Sequence, residues 1–482
     1  MSPRPTDHNH YADLLRVAAI CAVVLGHWLL TDLTYRAGRV AGHDALAYVG
    51  WGRWVTLLFQ VMPVVFLVGG YANAASWTAH RRRAEGWTGW VHRRTLRLLW
   101  PTAVYVGVVS FAAAAAWAGG VNAGELAQAG WYLALHLWFL PVYLLLIVLT
   151  PALYAAHTRW GLAVPAAMAV GAALVDVAIL GPRLPLLGFA NYLLVWGAMH
   201  QWGFAWHDGS LTRGHRPLWL ALAGALLLAG LLTWGPFPVD MVGAGLHAGN
   251  TTPPSIALLA FAAAQCGLLL AAEPAARRRL AAPMRRARVT RLNRAAMTVY
   301  LWHPVPVVLV AATLYPAGLA PQPSIGSWQW FALRPTWFAV LTALLVPLVA
   351  ALQRAQRPLL GLARSTGHSP ALLLCGLAAT LPALAWLAVH GFAPSGHPPA
   401  LALAAFACGF FLVLRSGRRR SAPARSLPPG RPAGEMGGPT GGRWLRSAGR
   451  GWSGRCSRCR AASRSGPRPC SRGRRSGWRG PR

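Results

Sequence analysis

Apolar stretches of about 17–25 residues recur twelve times along this chain, near residues 13–33, 54–75, 99–118, 132–153, 161–180, 187–205, 217–235, 255–272, 296–316, 330–352, 371–390 and 399–414. Inside a bilayer every backbone polar group must be satisfied internally, so runs this long and apolar admit one common solution, the spanning helix. The expected fold is therefore all-α, a polytopic membrane helix bundle. With 55% hydrophobic and 12% charged residues among 482, and a mean hydropathy of +0.39, the chain is too apolar for a soluble enzyme and too long for a single anchor. The first span shows no small-residue cleavage site after its apolar core, so it reads as uncleaved.

The net charge of +35 resembles a nucleic-acid signal until the arginines are located. Even-numbered connections carry Arg81–Arg83, Arg93, Arg94 and Arg97, then Arg159, then Arg213 and Arg216, then the run from Arg277 to Arg294, then Arg354, Arg357 and Arg364. Odd-numbered connections hold only Arg36, Arg39 and Arg183, with Arg53 and Arg334 at span edges. By the positive-inside rule this alternation places both termini and the even loops in the cytoplasm, with the bundle in the cell membrane and no nucleic-acid partner. From about Ser416 the sequence turns to Arg, Gly, Ser and Pro, as in a disordered cytoplasmic tail drawn to anionic lipid. Cys21, Cys266, Cys375 and Cys408 sit in apolar segments as small hydrophobes, and the C-x-x-C at Cys456 and Cys459 lacks a second pair, so no disulfide framework or metal site is expected.

The first span, Tyr11 to Leu33, carries Arg16 and His27. An offset of eleven residues is three helical turns plus roughly 20°, so both side chains share one face about 16.5 Å apart. Ionisable groups at that depth usually face a bundle interior, a partner or a cavity. Bland alternatives stand beside this: Arg16 as a snorkelling anchor and His27 as a satisfied packing residue. Arg94 and Arg97, three apart at the start of the third span, share a face and suit phosphate recognition, whereas Arg81–Arg83 need only set topology.

Five segments then form an ordered set: the R-x10-H pair within LLRVAAICAVVLGHW, MPVVFLVGGY in the second span, RTLR at Arg94 to Arg97, LWFLPVYL in the fourth span and AMTVYLWHP in the ninth. In order and spacing this set resembles the membrane acyltransferase family 3, integral O-acyltransferases, over roughly residues 11–352. The resemblance implies a ten-helix core, here residues 1–352; it does not cover the two additional spans at 353–415 or the tail at 416–482, which are read from the apolar stretches and composition. It also implies that an acyl group, commonly acetyl, passes from cytoplasmic acyl-CoA, a co-substrate rather than a bound cofactor, to a hydroxyl of a carbohydrate or other acceptor. The family's histidine falls on His27, and its R-x-x-R element, assigned to the acyl-CoA side, falls on Arg94 and Arg97, with Arg93 adjoining. No outward loop is long enough to hold the extracytoplasmic catalytic domain some relatives carry.

The residue geometry accommodates this. Phosphate held by arginines near the cytoplasmic face would leave the thioester about 16.5 Å deeper, at His27. His27 is expected as general base for the acceptor hydroxyl, a transient acyl carrier being the alternative. His303, about 12 Å into the ninth span, reaches a similar level and is a third catalytic candidate; the bland alternative is a structural histidine bonded to a carbonyl. Asp176 in the fifth span is a functional candidate by the rule for intramembrane acids, with no role assigned to it. The competing class is a transporter or flippase, although proton coupling usually draws on more buried acids than Asp176 supplies.

Overall fold

The computed structural model describes residues 8–83, 86–242, 249–356 and 367–418. The expected tail beyond Arg418, with Cys456, Cys459 and Cys470, lies outside these, as do Arg357 and Arg364. The described chain is a helical bundle: α1 (His10–Leu30), α2 (Gly52–Phe59), α3 (Met62–Arg81), α4 (Trp87–Ala118), α5 (Ala123–Ala134), α6 (Phe139–Trp160), α7 (Ala163–Leu180), α8 (Gly188–His207), α9 (Arg216–Thr233), α10 (Ile256–Arg279), α11 (Pro283–Trp302), α12 (Val305–Thr313), α13 (Trp328–Gln356), α14 (Pro370–His390) and α15 (Ala400–Arg415). The twelve apolar stretches all fall on helical segments of this set, three of them on broken pairs, α2 with α3, α5 with α6 and α11 with α12, and the first running past the end of α1. Among the described residues nine helical segments are long and apolar enough to cross a membrane, ten if α11 and α12, bent by 47°, are one broken span. The two remaining are α15, at 16 residues, and α8, whose Asn191, His200, Gln201 and His207 dilute its apolar content.

Lipid-type surfaces are evident on α7 and α9, which leave Leu174, Val177, Leu222 and Leu226 exposed while their small faces pack inward. The closest helix contact joins α3 to α8. A Cβ on Gly70 would lie 2.0 Å from the His200 carbonyl oxygen, and one on Gly203 would lie 2.2 Å from that of Leu67. Only glycine permits backbones this close. Asp176 acquires a structural explanation here: it accepts from the Ile256 N–H at 2.6 Å and from Asn191 Nδ2 at 2.7 Å, placing a carboxyl at the dipole-positive start of α10.

The first span differs from its expected boundary. Helix α1 stops at Leu30, and Thr31–Arg36 (β1) pairs antiparallel with Arg39–Asp44 (β2), with Ala37 and Gly38 at positive φ forming the two-residue turn that matches strand twist. The apolar count could not show this, because Thr31, Leu33 and Tyr35 fit a strand as well as a helix end. Asp32 settles the matter. Its carboxylate meets Arg334 NH2 at 2.7 Å and Trp330 Nε1 at 2.8 Å, both on α13, and the Arg334 guanidinium stacks 3.7 Å from the Trp330 ring centre. Arg334 NH1 also donates to the Thr31 carbonyl at 3.0 Å, fastening the end of α1. Asp32 and Arg334 are 8% and 9% exposed, so removing one partner strands a buried charge. Asp32→Ala should cost about 3–5 kcal/mol, read as a lower unfolding temperature in detergent; an unchanged temperature would mean that solvent already screens the pair.

Candidate active site

Helices α1 and α11 run parallel and meet at two levels. Near their starts, Arg16 NH1 donates to Asn293 Oδ1 at 3.2 Å, Asn293 Nδ2 donates to Asp13 Oδ1 at 2.7 Å, and Arg16 lies 3.8 Å from that same oxygen. Three turns deeper, His27 Nδ1 and His303 Nε2 are 2.9 Å apart. Both side chains of the R-x10-H pair thus face one partner helix. The intervals match: eleven residues on α1 and ten on α11.

The lower contact has a definite proton arrangement, and proline is its origin. Residue 304 is Pro304, which has no N–H to give the Tyr300 carbonyl four residues back. The chain bends there, and the freed carbonyl is met at 2.7 Å by His303 Nδ1, which must be the donor. Among the described residues no carboxylate touches either ring, so both are treated as neutral imidazoles. His303 Nε2 is then an acceptor and His27 Nδ1 donates to it, so His27 Nε2 carries the lone pair. Among the described residues that nitrogen has no hydrogen-bond partner, and His27 is partly exposed. Trp28 Nε1 donates to the His303 carbonyl at 2.9 Å, and Trp337 Nε1 to the Trp28 carbonyl at 2.9 Å, so the pair is braced from α1 and α13 together. His136 packs edge-on against His303, its ring centre 5.3 Å away, with Tyr105 and Tyr300 around it.

The arginines fall into two groups. Arg94 points inward, donating from Nε and NH2 to Asn73 Oδ1 at 3.1 and 2.5 Å, and sits against Tyr143 within electrostatic reach of Arg97 and Arg16. Arg97 is exposed on the same face of α4. Arg93, one residue round the helix, turns elsewhere: its NH2 donates to His80 Nδ1 at 2.8 Å, and His80 Nε2 donates to the Gly86 carbonyl at 2.9 Å. Arg16, Arg94 and Arg97 are therefore brought together, and Arg93 is set apart.

An aromatic ladder joins the arginine group to the histidine pair. Tyr143 lies over Gly69, where a Cβ would come within 2.4 Å of its ring. Phe139 stacks on Tyr143 at 5.1 Å, contacts Phe66 at 5.3 Å and Tyr300 at 5.8 Å, and Tyr300 leads to His303. All five sequence segments meet in this one region. Sequence reasoning missed Asn73, His200, Asn293, His136 and the Tyr300 carbonyl. Only Asn293 left a usable trace, lying ten residues before His303 as Arg16 lies eleven before His27. Among the described residues one group has metal-ligand composition, His8, His10 and Asp13, with ligand atoms within 4.8 Å of one another; Asp13 is already committed to Asn293 and lies beside Arg16.

The fold is a multi-pass helical bundle, and its candidate site sets a histidine pair beyond a group of arginines. A family model described as an acyltransferase domain matches residues 9–354, more than half of the chain, and the protein belongs to acyltransferase family 3. No curated protein and no solved structure matches the chain significantly.

If Pro304 frees the Tyr300 carbonyl, Pro304→Ala restores an N–H that reclaims it and unlocks His303. Histidine ¹⁵N shifts should then show His27 passing from a single Nδ1–H tautomer to a mixture; an unaltered spectrum would show that the carbonyl does not set it.

Proposed function

We propose that this membrane acyltransferase moves an acyl group, acetyl in the first instance, from acyl-CoA on the cytoplasmic side to a hydroxyl of a carbohydrate or other acceptor at or across the cell membrane. Both termini lie in the cytoplasm in this reading, which rests on the arginine-rich even connections. The observation that carries the proposal is the chain of contacts from the Tyr300 carbonyl through His303 to His27 Nδ1, 2.7 and 2.9 Å, which assigns the His27 proton to Nδ1 and its lone pair to Nε2.

The chemistry follows from that lone pair. His27 Nε2 takes the proton of the acceptor hydroxyl as its oxygen attacks the thioester carbonyl. The carbon–sulfur bond breaks, the acyl group remains on the acceptor oxygen, and the departing thiolate takes the proton back from Nε2–H. His303 orients the ring and disperses the transient positive charge toward the Tyr300 carbonyl, so it serves as a positioning residue. Arg16, Arg94 and Arg97 meet the phosphates, about 16.5 Å toward the cytoplasm by the rise of α1, a separation of the order of a pantetheine arm. Arg93 contributes only to the local positive potential.

The test is purified protein in liposomes, labelled acetyl-CoA and a panel of polyols. Wild type should transfer label, and His27→Gln should lower kcat by about 10²–10⁴-fold, the usual contribution of a general base. Because protonation removes the base, the wild-type rate should fall on acidification. Flux of substrate across the bilayer with no label on any acceptor would move the protein to the transporter class, and label retained on His27 itself would make it an acyl carrier.

A further inference from the structure

We infer that Asn73 and His200 are positioning residues that hold Arg94 as an uncompensated, pre-aimed cation for the phosphates of acyl-CoA, an inference that rests on the acyltransferase reading above. Neither residue belongs to the segments from which that reading was drawn as a reactive group, and both are fully buried. Their burial follows from the glycine contact: Asn73 lies one turn beyond Gly70 on α3, and His200 one turn before Gly203 on α8, so the closest backbone approach in the bundle presses the two side chains together.

The hydrogen bonds run in one direction. Arg94 can only donate, so Asn73 Oδ1 is the acceptor of both its N–H groups and Asn73 Nδ2 is a donor. Nδ2 faces His200 Nε2 at 3.0 Å, which must therefore accept, leaving the His200 proton on Nδ1, where it is buried without a partner. A buried histidine with an unsatisfied N–H is a cost that packing alone would remove with an apolar residue. What it secures is the amide plane of Asn73, and through it the guanidinium.

The choice of an amide matters. A carboxylate at position 73 would hold Arg94 more strongly but would cancel its charge, whereas the neutral amide orients it and leaves the full cation for a ligand. Among the described residues no carboxylate pairs with Arg94 or Arg97. Two guanidiniums three residues apart, one locked and one exposed, with Arg16 across from them, suit a polyphosphate better than a single carboxylate.

The experiment compares wild type with Asn73→Asp, a nearly isosteric change that His200 can still meet through its other tautomer. Equilibrium binding of CoA to the detergent-solubilised full chain should weaken by about tenfold or more, and KM for acetyl-CoA should rise in parallel with kcat within about threefold, since ground-state and transition-state anchoring are lost equally. His200→Leu, which removes the acceptor that Asn73 Nδ2 meets, should weaken CoA binding by about threefold or more, and His200→Gln, which restores a neutral acceptor there, should recover most of that loss; full CoA affinity in His200→Leu would remove His200 from the inference. Unchanged CoA affinity in Asn73→Asp would overturn the inference, as would a fall in kcat matched by a lower unfolding temperature with affinity unchanged, the mark of a purely structural role. Failure of wild type itself to bind CoA would instead remove the acyl-CoA reading on which the inference stands.

Discussion

A polar side chain on a lipid-embedded helix has no bulk water to satisfy it, so each one must be matched across a helix interface or within a cavity. In this bundle that constraint acts most strongly between α1 and α11. Asn293 meets Arg16 and Asp13 at one end of the interface, and His303 meets His27 at the other. A slip of one residue would break both contacts at once. The two helices are thereby fixed in depth and rotation, and the site inherits its geometry from their register.

A second constraint comes from α3 and α8, which approach so closely at Gly70 and Gly203 that anything polar beside the crossing is forced into contact. The same α3 segment offers Gly69 to the Tyr143 ring and Phe66 to Phe139. Phe139 then touches Tyr300, whose carbonyl orders the histidine pair. Packing and catalysis are not separable along this path. The residues that fill the core between the helices also set the distance from the guanidiniums to the imidazoles.

The sequence revealed the helical stretches and the shared face of Arg16 and His27, because the first follows from apolar run length and the second from helix periodicity. It revealed neither the hairpin nor the partners of the reactive groups. Thr31 to Tyr35 continue the apolar run, and the hairpin is held by distant residues, Arg334 and Trp330 on Asp32, Gln322 on the Tyr35 N–H and Glu125 on the Val40 N–H. Asn73 and His200 are separated by more than a hundred residues and look like ordinary dilution of two apolar helices. Asp176 looked functional by the rule for intramembrane acids, yet its oxygens are occupied by a helix start and an amide, a role that no local pattern encodes. Side chains that act through another residue across the fold leave little trace in one dimension.

Three arginines show how their surroundings sort structural charges from ligand-ready ones. Arg334 is buried, bonded to the Asp32 carboxylate and stacked on Trp330, so its charge is consumed in holding the hairpin and the end of α1. Arg16 is intermediate: it bonds a neutral amide at Asn293 and lies 3.8 Å from the Asp13 carboxylate, itself engaged elsewhere. Arg94 is held by neutral groups, the Asn73 amide and the Tyr143 side chain, and among the described residues by no carboxylate. In a medium that penalises unpaired charge, a cation kept without a counter-ion carries a standing cost, and an arriving anion relieves it. That relief favours ligand binding at Arg94 and, to a lesser degree, at Arg16, while Arg334 has nothing left to offer. Of these three guanidiniums, the two on the Asp13 and Asn293 side of His27 keep charge free for an anion, whereas the one beyond His27 is spent on structure.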